Sequence, residues 1–125
     1  MFQKIDYIMV NVTDMTRSVA FYRDTLGLPL KFESPGWSEF DTGASTLALH
    51  AVSSRGAADG GGEPKGGTCT LGFSVSDLDA TYSQLKDRGA RFVVTPKDQV
   101  NEGIRLAVCL DPDGLAVSFA QPLPK

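Results

Sequence analysis

VNVTDM at residues 10–15 and FSVSDL at residues 73–78 are two versions of one pattern, a strand-like segment that runs into a polar residue followed by aspartate. Asp14 and Asp77 lie 63 residues apart, which is about half of the 125-residue chain. Each copy continues into a segment with helical spacing of apolar residues that ends at a glycine. A similarity at half the chain length indicates two copies of one supersecondary unit. Because paired units commonly form a site at their junction, the repeat also indicates where function is to be sought.

The composition is that of one soluble globular domain spanning residues 1–125. Hydrophobic residues make up 42% of the chain, which is enough for a real core. The net charge is −3 and the isoelectric point about 5.0. This mild acidity, without a stripe of Lys and Arg, predicts that nucleic acid is not a partner. No apolar run reaches the ~18 residues of a membrane span, and the N-terminus lacks a signal-peptide pattern, so we expect a cytoplasmic protein without a membrane partner.

Two cysteines occur, at positions 69 and 109, and each falls in a strand-like segment. Two thiols in apolar strands do not form a disulfide framework of the kind found in small secreted domains. We therefore predict that Cys69 and Cys109 are reduced core residues.

The first unit, residues 1–52, is predicted to be β-α-β-β-β. Alternation along a strand at 4–12 places Val10 and Val12 on one face and Tyr7, Met9 and Asn11 on the other. Three further short strands are predicted near residues 29–33, 36–41 and 46–52.

The helix of the first unit is predicted to begin after Thr13 or Asp14 and to run to about Leu26. Its apolar stripe has helical spacing and consists of Met15, Val19, Tyr22 and Leu26. Gly27 is placed to adopt the left-handed conformation that ends a helix.

Residues 53–67 interrupt the pattern, because this segment contains six glycines and one proline in fifteen residues. Such a composition cannot bury a core. We interpret the segment as a linker or loop, with a lid over a nearby pocket as the alternative.

The second unit, residues 68–122, repeats the β-α-β-β-β pattern. Ser76 and Asp79 are spaced like an N-terminal capping box, and Gly89 ends the helix. Asp111-Pro112-Asp113-Gly114 has proline and glycine at positions typical of a turn. The predicted strands lie near residues 68–75, 91–95, 104–110 and 115–120.

This doubled order resembles the vicinal oxygen chelate superfamily, the group that includes glyoxalases, bleomycin resistance proteins and extradiol dioxygenases. The matching residues are VTDM at 12–15, Phe21-Tyr22, Leu26-Gly27-Leu28 and the turn at 111–114. The resemblance implies an α+β fold in which two tandem βαβββ units form curved mixed sheets around a cleft. It also implies that the halves face each other, often across the interface of a homodimer.

Enzymes of this family hold one divalent metal with His and Glu side chains from the first and last strands of each unit. The pattern carries those positions to Tyr7, to Ala48 or His50, to Thr70 and to Ser118. His50 alone among them is a good ligand, because neutral hydroxyls are poor donors to a divalent cation. A metal site that departs from the family pattern would need carboxylate oxygens as ligands. The carboxylates considered, all outside the pattern, are Glu33, Glu39, Asp41 and Glu102.

The residues that we expect to face the cleft combine aromatic, apolar and hydroxyl-bearing side chains, as ligand pockets commonly do. They are Tyr7, Met9, Trp37, His50, Thr70 and Ser118. For His50 the alternative is a strand histidine hydrogen-bonded to a neighbour. Trp37 lines a groove or an interface, or belongs to the core, whereas we expect Phe40 to be core.

We therefore expect a small-molecule binding protein that needs no cofactor or metal and forms a homodimer. We predict no catalytic residue in it. The most specific form of this expectation is that the protein sequesters a drug or a toxic metabolite. The alternative is a metal-dependent enzyme, a glyoxalase I-like lyase, an isomerase or a dioxygenase, with Ni, Zn, Fe or Mn in an atypical site where His50 is the residual ligand. A third class is a subunit whose cleft serves only assembly.

Overall fold

A computed structural model describes residues 1–53 and 66–124 of the chain. The chain divides into two compact units, unit 1 at Met1–Gly56 and unit 2 at Ala57–Lys125. Most of the predicted linker at 53–67 lies outside the described residues. Each unit has the order β-α-β-β-β and contains one mixed four-stranded sheet, which confirms the α+β class and the repeat.

Unit 1 has the sheet order β1-β4-β3-β2, with β1 parallel to β4 and the other pairs antiparallel. The strands are β1 (Tyr7–Val12), β2 (Leu30–Phe32), β3 (Trp37–Asp41) and β4 (Thr46–Ala51). The predicted strands are confirmed, and β1 is shorter than predicted at its N-terminal end.

The helix of unit 1 begins where its aspartate caps it. Asp14 has an extended backbone, and its carboxylate accepts from the N–H of Arg17 at 3.0 Å, so Asp14 is the N-cap of α1 (Met15–Ala20). The helix then widens into a π-helical turn over Phe21–Thr25, where Leu26 N donates to Phe21 O at 2.9 Å. The predicted extent is therefore correct, but the last turn is not α-helical. Gly27 follows with a φ of 79°.

The core of unit 1 lies between α1 and one face of the sheet. The Tyr22 ring is fully buried there and lies 6.0 Å from the equally buried Phe40 ring, between centroids. Val10 and Val12 point to this side, which confirms the predicted alternation in β1. Phe40 is a core residue, as predicted.

Unit 2 has the sheet order β5-β8-β7-β6, with β5 parallel to β8 and the other pairs antiparallel. The strands are β5 (Leu71–Ser74), β6 (Arg91–Gln99), β7 (Ile104–Leu110) and β8 (Ala116–Pro122). A 3-10 turn at Val100–Glu102 joins β6 to β7. In the predicted turn, Gly114 N donates to Asp111 O at 2.9 Å, which confirms the turn.

The cap of the second helix, α2 (Leu78–Asp87), differs from the prediction. Asp77, not Ser76, is the N-cap, and its carboxylate accepts from Ala80 N at 3.1 Å. Ser76 lies one position too early to reach that amide, and the Asp79 carboxylate binds Arg105 instead. The predicted capping box is therefore wrong, and both units use the aspartate of the repeat in the same way.

The two cysteines also differ from each other. Cys109 is fully buried in β7, as predicted. Cys69 is exposed, because β5 begins at Leu71 and the described strand does not reach it. The prediction that Cys69 is a core residue is therefore wrong. Burial, with a smaller contribution from the charge of Asp111, raises the pKa of the Cys109 thiol to about 11.

Among the described residues, no helix combines the length and apolar character needed to cross a lipid bilayer.

Candidate functional site

The sheet of unit 1 has one face packed on α1 and a second face on which no described helix of unit 1 packs, which we call the helix-free face. Tyr7, Met9 and Asn11 of β1 alternate with the core residues and lie on this face. The parallel register pairs Met9 with Ala48 and Asn11 with His50. The structure thus places several predicted site residues together.

An aromatic row runs across this face. Trp37 pairs with His50 in the antiparallel register of β3 and β4, and their ring centroids lie 6.1 Å apart at an interplanar angle of 60°. The Tyr7 ring lies 6.0 Å from the Trp37 ring, between centroids, at an interplanar angle of 74°. Both are edge-to-face arrangements, which aromatic side chains favour over direct stacking. Since Tyr7 is 52% exposed and Trp37 is half-buried, the row presents apolar surface together with polar edges.

Two polar side chains complete this face. The Trp37 indole Nε1 donates to Glu39 Oε2 at 2.8 Å. His50 Nδ1 lies 3.1 Å from Asn11 Oδ1. The predicted cleft residues did not include Asn11 or Glu39, although the period of two places Asn11 on the strand face of Tyr7 and Met9, and Glu39 on that of Trp37.

A tight turn fixes the backbone of Trp37. Ser34 Oγ hydrogen-bonds the carbonyl oxygen of Trp37 and accepts from its amide at 3.3 Å. Ser38 Oγ in turn accepts from Ser34 N at 3.2 Å, and Ala51 N donates to Gly36 O at 3.1 Å. These bonds hold the start of β3 against β4, so the indole is positioned by the backbone rather than by a mobile loop.

The corresponding face of unit 2 is different in character. Ser118 of β8 is half-buried, lies opposite Gly72 of β5 and donates to Leu71 O at 3.4 Å. A β-carbon added at Gly72 would lie 3.3 Å from Ser118 Oγ, so these strands meet closely. Thr70 is exposed and precedes β5, in contrast to the predicted strand at 68–75.

The chain is an α+β protein that contains two βαβββ units, and the helix-free face of unit 1 bears aromatic side chains. The chain matches the Glyoxalase/Bleomycin resistance protein/Dioxygenase superfamily over residues 4–119. It belongs to this family, which confirms the resemblance seen in the repeat.

Several relatives support this assignment. The uncharacterized protein YraH of Bacillus subtilis (strain 168) is 32% identical over 119 residues, covering 88% of this chain and 91% of that protein. TnmS3, an antibiotic binding protein from Streptomyces sp. CB03234, is 26% identical, with a TM-score of 0.72 and 97% of both chains covered. A glyoxalase/dioxygenase from Nostoc punctiforme is 19% identical with a TM-score of 0.82, covering 98% of this chain and 92% of that one, and this likeness shows the fold alone.

The donor set does not fit the metal that enzymes of this family hold. Of the positions carried over from the family pattern, Ala48 is fully buried and has no donor atom, and Tyr7, Thr70 and Ser118 offer hydroxyls. His50 Nδ1 is engaged by Asn11. Within residues 1–53 and 66–124, no three His, Cys, Asp or Glu side chains come together in a group able to hold a metal ion. Three or four such ligands are what zinc and related metals require.

Proposed function

We propose that this protein binds a small organic molecule on the helix-free face of unit 1 without a metal, and that it sequesters a drug or a toxic metabolite. The observation that carries this proposal is the row Tyr7–Trp37–His50, in which partly exposed rings stand beside two fixed polar groups. Ligand sites commonly combine an apolar, aromatic lining with a few well-placed polar groups. The antibiotic-binding relative TnmS3 supports the proposal at the level of the family.

The fixed position of Trp37 supports a role in ligand binding rather than in packing alone. The indole of Trp37 is held at its nitrogen by Glu39 and at its backbone by Ser34. Because both restraints exist before a ligand arrives, little rotamer freedom remains to be lost on binding. A half-buried indole on a strand therefore offers contact area at low entropic cost.

The first experiment uses the intrinsic fluorescence of Trp37, which is the single tryptophan of the chain. A panel of antibiotics, glutathione adducts and aromatic diols is titrated into the protein, and thermal shift is measured in parallel, because a ligand of the native state raises the melting temperature. We expect at least one compound to give a saturable change in emission together with a higher melting temperature.

Variants locate the site by calorimetry. Tyr7→Ala and Trp37→Ala should each weaken binding about tenfold or more, as truncation of a central aromatic anchor usually does. Val100→Ala is the matched control, because Val100 is a 78% exposed apolar residue in unit 2, and it should bind normally. Equal loss in the control variant would place the binding elsewhere. Thr70→Ala and Ser118→Ala, measured in the same way, decide whether unit 2 contributes as the sequence predicts.

Metal content tests the enzymatic alternative. The protein is purified without chelator, and its nickel, zinc, iron and manganese are quantified. Substoichiometric metal, unchanged in His50→Ala, is expected. Stoichiometric metal that is lost on His50→Ala would overturn metal-independent binding in favour of a lyase, isomerase or dioxygenase with an atypical site.

Our proposal includes a homodimer in the cytoplasm. Phe2 and Ile5 are 93% and 69% exposed in the N-terminal segment, which is apolar surface that a second copy of the chain would cover. Cys69 and Cys109 are free thiols, as in most cytosolic proteins. Light scattering should give twice the 13.4 kDa mass of the chain. If instead a partner buries Trp37 and no compound of the panel shifts the melting temperature, the face serves assembly only.

A further inference from the structure

The N–H groups of both nitrogen-bearing rings on the helix-free face are engaged inside the protein. The Trp37 indole N–H donates to Glu39 Oε2 at 2.8 Å. His50 Nδ1 stands 3.1 Å from Asn11 Oδ1, and because an amide oxygen only accepts, this hydrogen bond requires the tautomer with the proton on Nδ1. Neither ring therefore has an N–H left for a ligand while His50 is neutral.

The two nitrogen-bearing rings leave only acceptor capacity beside the aromatic row, next to the Tyr7 hydroxyl and the amide N–H2 of Asn11, which can also donate. In a neutral imidazole that is protonated at Nδ1, Nε2 holds a lone pair and accepts. No described residue donates a hydrogen bond to His50 Nε2. The carboxylate of Glu39 has only accepting oxygens, and the indole uses one of them. A ligand that only accepts hydrogen bonds would leave these groups without a partner once water is displaced, which is costly.

We propose that the site selects aromatic molecules that carry an O–H or N–H donor, such as phenols and arylamines. This inference rests on the proposed function. The ring of the ligand lies along Tyr7 and Trp37, and its donor points to His50 Nε2. Asn11 is a positioning residue, because its amide oxygen holds the tautomer that turns Nε2 into an acceptor. One such nitrogen does not make a metal site, which needs further His or carboxylate ligands.

The tautomer can be measured directly, because His50 is the single histidine of the chain. Long-range proton–nitrogen correlation NMR at alkaline pH distinguishes a protonated ring nitrogen from one with a lone pair by its nitrogen chemical shift. We expect the wild-type protein to show the proton on Nδ1. Asn11→Asp keeps an acceptor beside Nδ1 and should keep that tautomer, whereas Asn11→Ala should lose it. Trp37→Phe is the control and should leave the tautomer unchanged.

Binding is tested with two probes that differ in one donor, 2-naphthol and 2-methoxynaphthalene. Backbone and indole N–H shifts report the affinity of each probe. The naphthol should bind roughly tenfold more tightly, which is the usual consequence of leaving a buried acceptor unpaired. This preference should persist in Asn11→Asp and fall toward equality in Asn11→Ala.

The outcomes separate this inference from the proposed function. A proton on Nε2 in the wild-type protein overturns the role of Asn11, whatever binds. Equal affinity for the two probes overturns the selection of donors while metal-independent binding stands. If neither probe binds, the ligand class is wrong, and the proposed function falls only if the wider panel also leaves Trp37 emission unchanged.

Discussion

Unit 1 and unit 2 have the same order of elements and the same strand pairing, yet their helix-free faces are chemically different. In unit 1 that face bears the row Tyr7–Trp37–His50. In unit 2 Gly72 and Ser118 approach closely on that face, and the register places Val108 and Leu106 of β7 beside Ser118 and Ala120, so these residues are small or aliphatic. The comparison teaches that the repeat specifies a scaffold, while the side chains one strand face away specify what the scaffold can bind.

The helix-facing sides, in contrast, follow one plan. Both helices are capped by the aspartate of the repeat, Asp14 in unit 1 and Asp77 in unit 2, with bonds of 3.0 and 3.1 Å. Both sheets bury a phenylalanine against other aromatic rings, Phe40 beside Tyr22 and Phe119 beside Phe92. The chemical difference between the two faces therefore does not arise from a difference in how the units fold.

The largest predicted effect concerns these shared cores. Phe40→Ala and Phe119→Ala should each lower the free energy of unfolding by about 3–5 kcal/mol, because each truncation leaves a cavity in a closed core. Urea denaturation followed by circular dichroism measures the loss. Val100→Ala, at an exposed position, should change the same quantity by less than about 0.5 kcal/mol. A loss in only one unit would show that the two cores are not equivalent.

The next prediction concerns the buried thiol of Cys109, which should make the stability of the protein depend on pH. The pKa of Cys109 is raised to about 11, so its neutral form stabilises the fold below the ordinary thiol pKa, and that contribution is lost as pH rises from about 9 to 11. The free energy of unfolding of the wild-type protein, measured by urea denaturation, should fall across this window by about 2–3 kcal/mol more than that of Cys109→Ala.

Thiol labelling provides an independent measure of the same difference. In the native protein a disulfide reagent should modify the exposed Cys69 rapidly and the buried Cys109 only after unfolding. Cys69→Ser should abolish the rapid phase. Rapid modification of both thiols in the native state would contradict the burial of Cys109.

The helix caps give a smaller and symmetric effect. Asp14→Ala and Asp77→Ala should each cost about 1 kcal/mol of unfolding free energy, because each removes the acceptor for an N-terminal amide of its helix. Ser76→Ala should change stability by less than about 0.5 kcal/mol. If Ser76→Ala lowered the free energy of unfolding more than Asp77→Ala, Ser76 would be the N-cap and the predicted capping box would be correct.

The smallest effect concerns an ion-pair network that is described in unit 2. Arg105 binds Asp79 of α2 and Asp98 of β6, each at 3.0 Å, and these bonds raise the pKa of the guanidinium. Because both carboxylates are well exposed, Arg105→Ala should lower the urea midpoint only slightly. That difference should vanish at about 1 M salt, where the Debye length is about 3 Å. A large, salt-independent loss would show that Arg105 acts through packing.

The sequence predicted the scaffold well because its signals are local. Alternation in β1, helical stripes and glycines after each helix depend on residues within a few positions of one another. Cys69 and Ser76 were misplaced because a strand start and an N-cap each depend on one residue of register. The strand β6 runs to Gln99, beyond the predicted end near 95, because an irregular register between Val94 and Lys97 accommodates Pro96 within the pair.

The candidate face was only partly predictable. Alternation was enough to group Tyr7, Met9, Trp37 and His50. The bonds of Asn11 to His50 and of Glu39 to Trp37 depend on strand pairing and on rotamers, which a single sequence does not specify.

The central claim is metal-independent binding of a small molecule. It is tested most directly by titrating the compound panel into protein that has been treated with a chelator and dialysed, with Trp37 emission as the signal. Metal-independent binding predicts a saturable change with the same dissociation constant before and after treatment, and an affinity at least about tenfold weaker in Tyr7→Ala. A signal that disappears with the chelator and returns with added nickel, zinc, iron or manganese would contradict it.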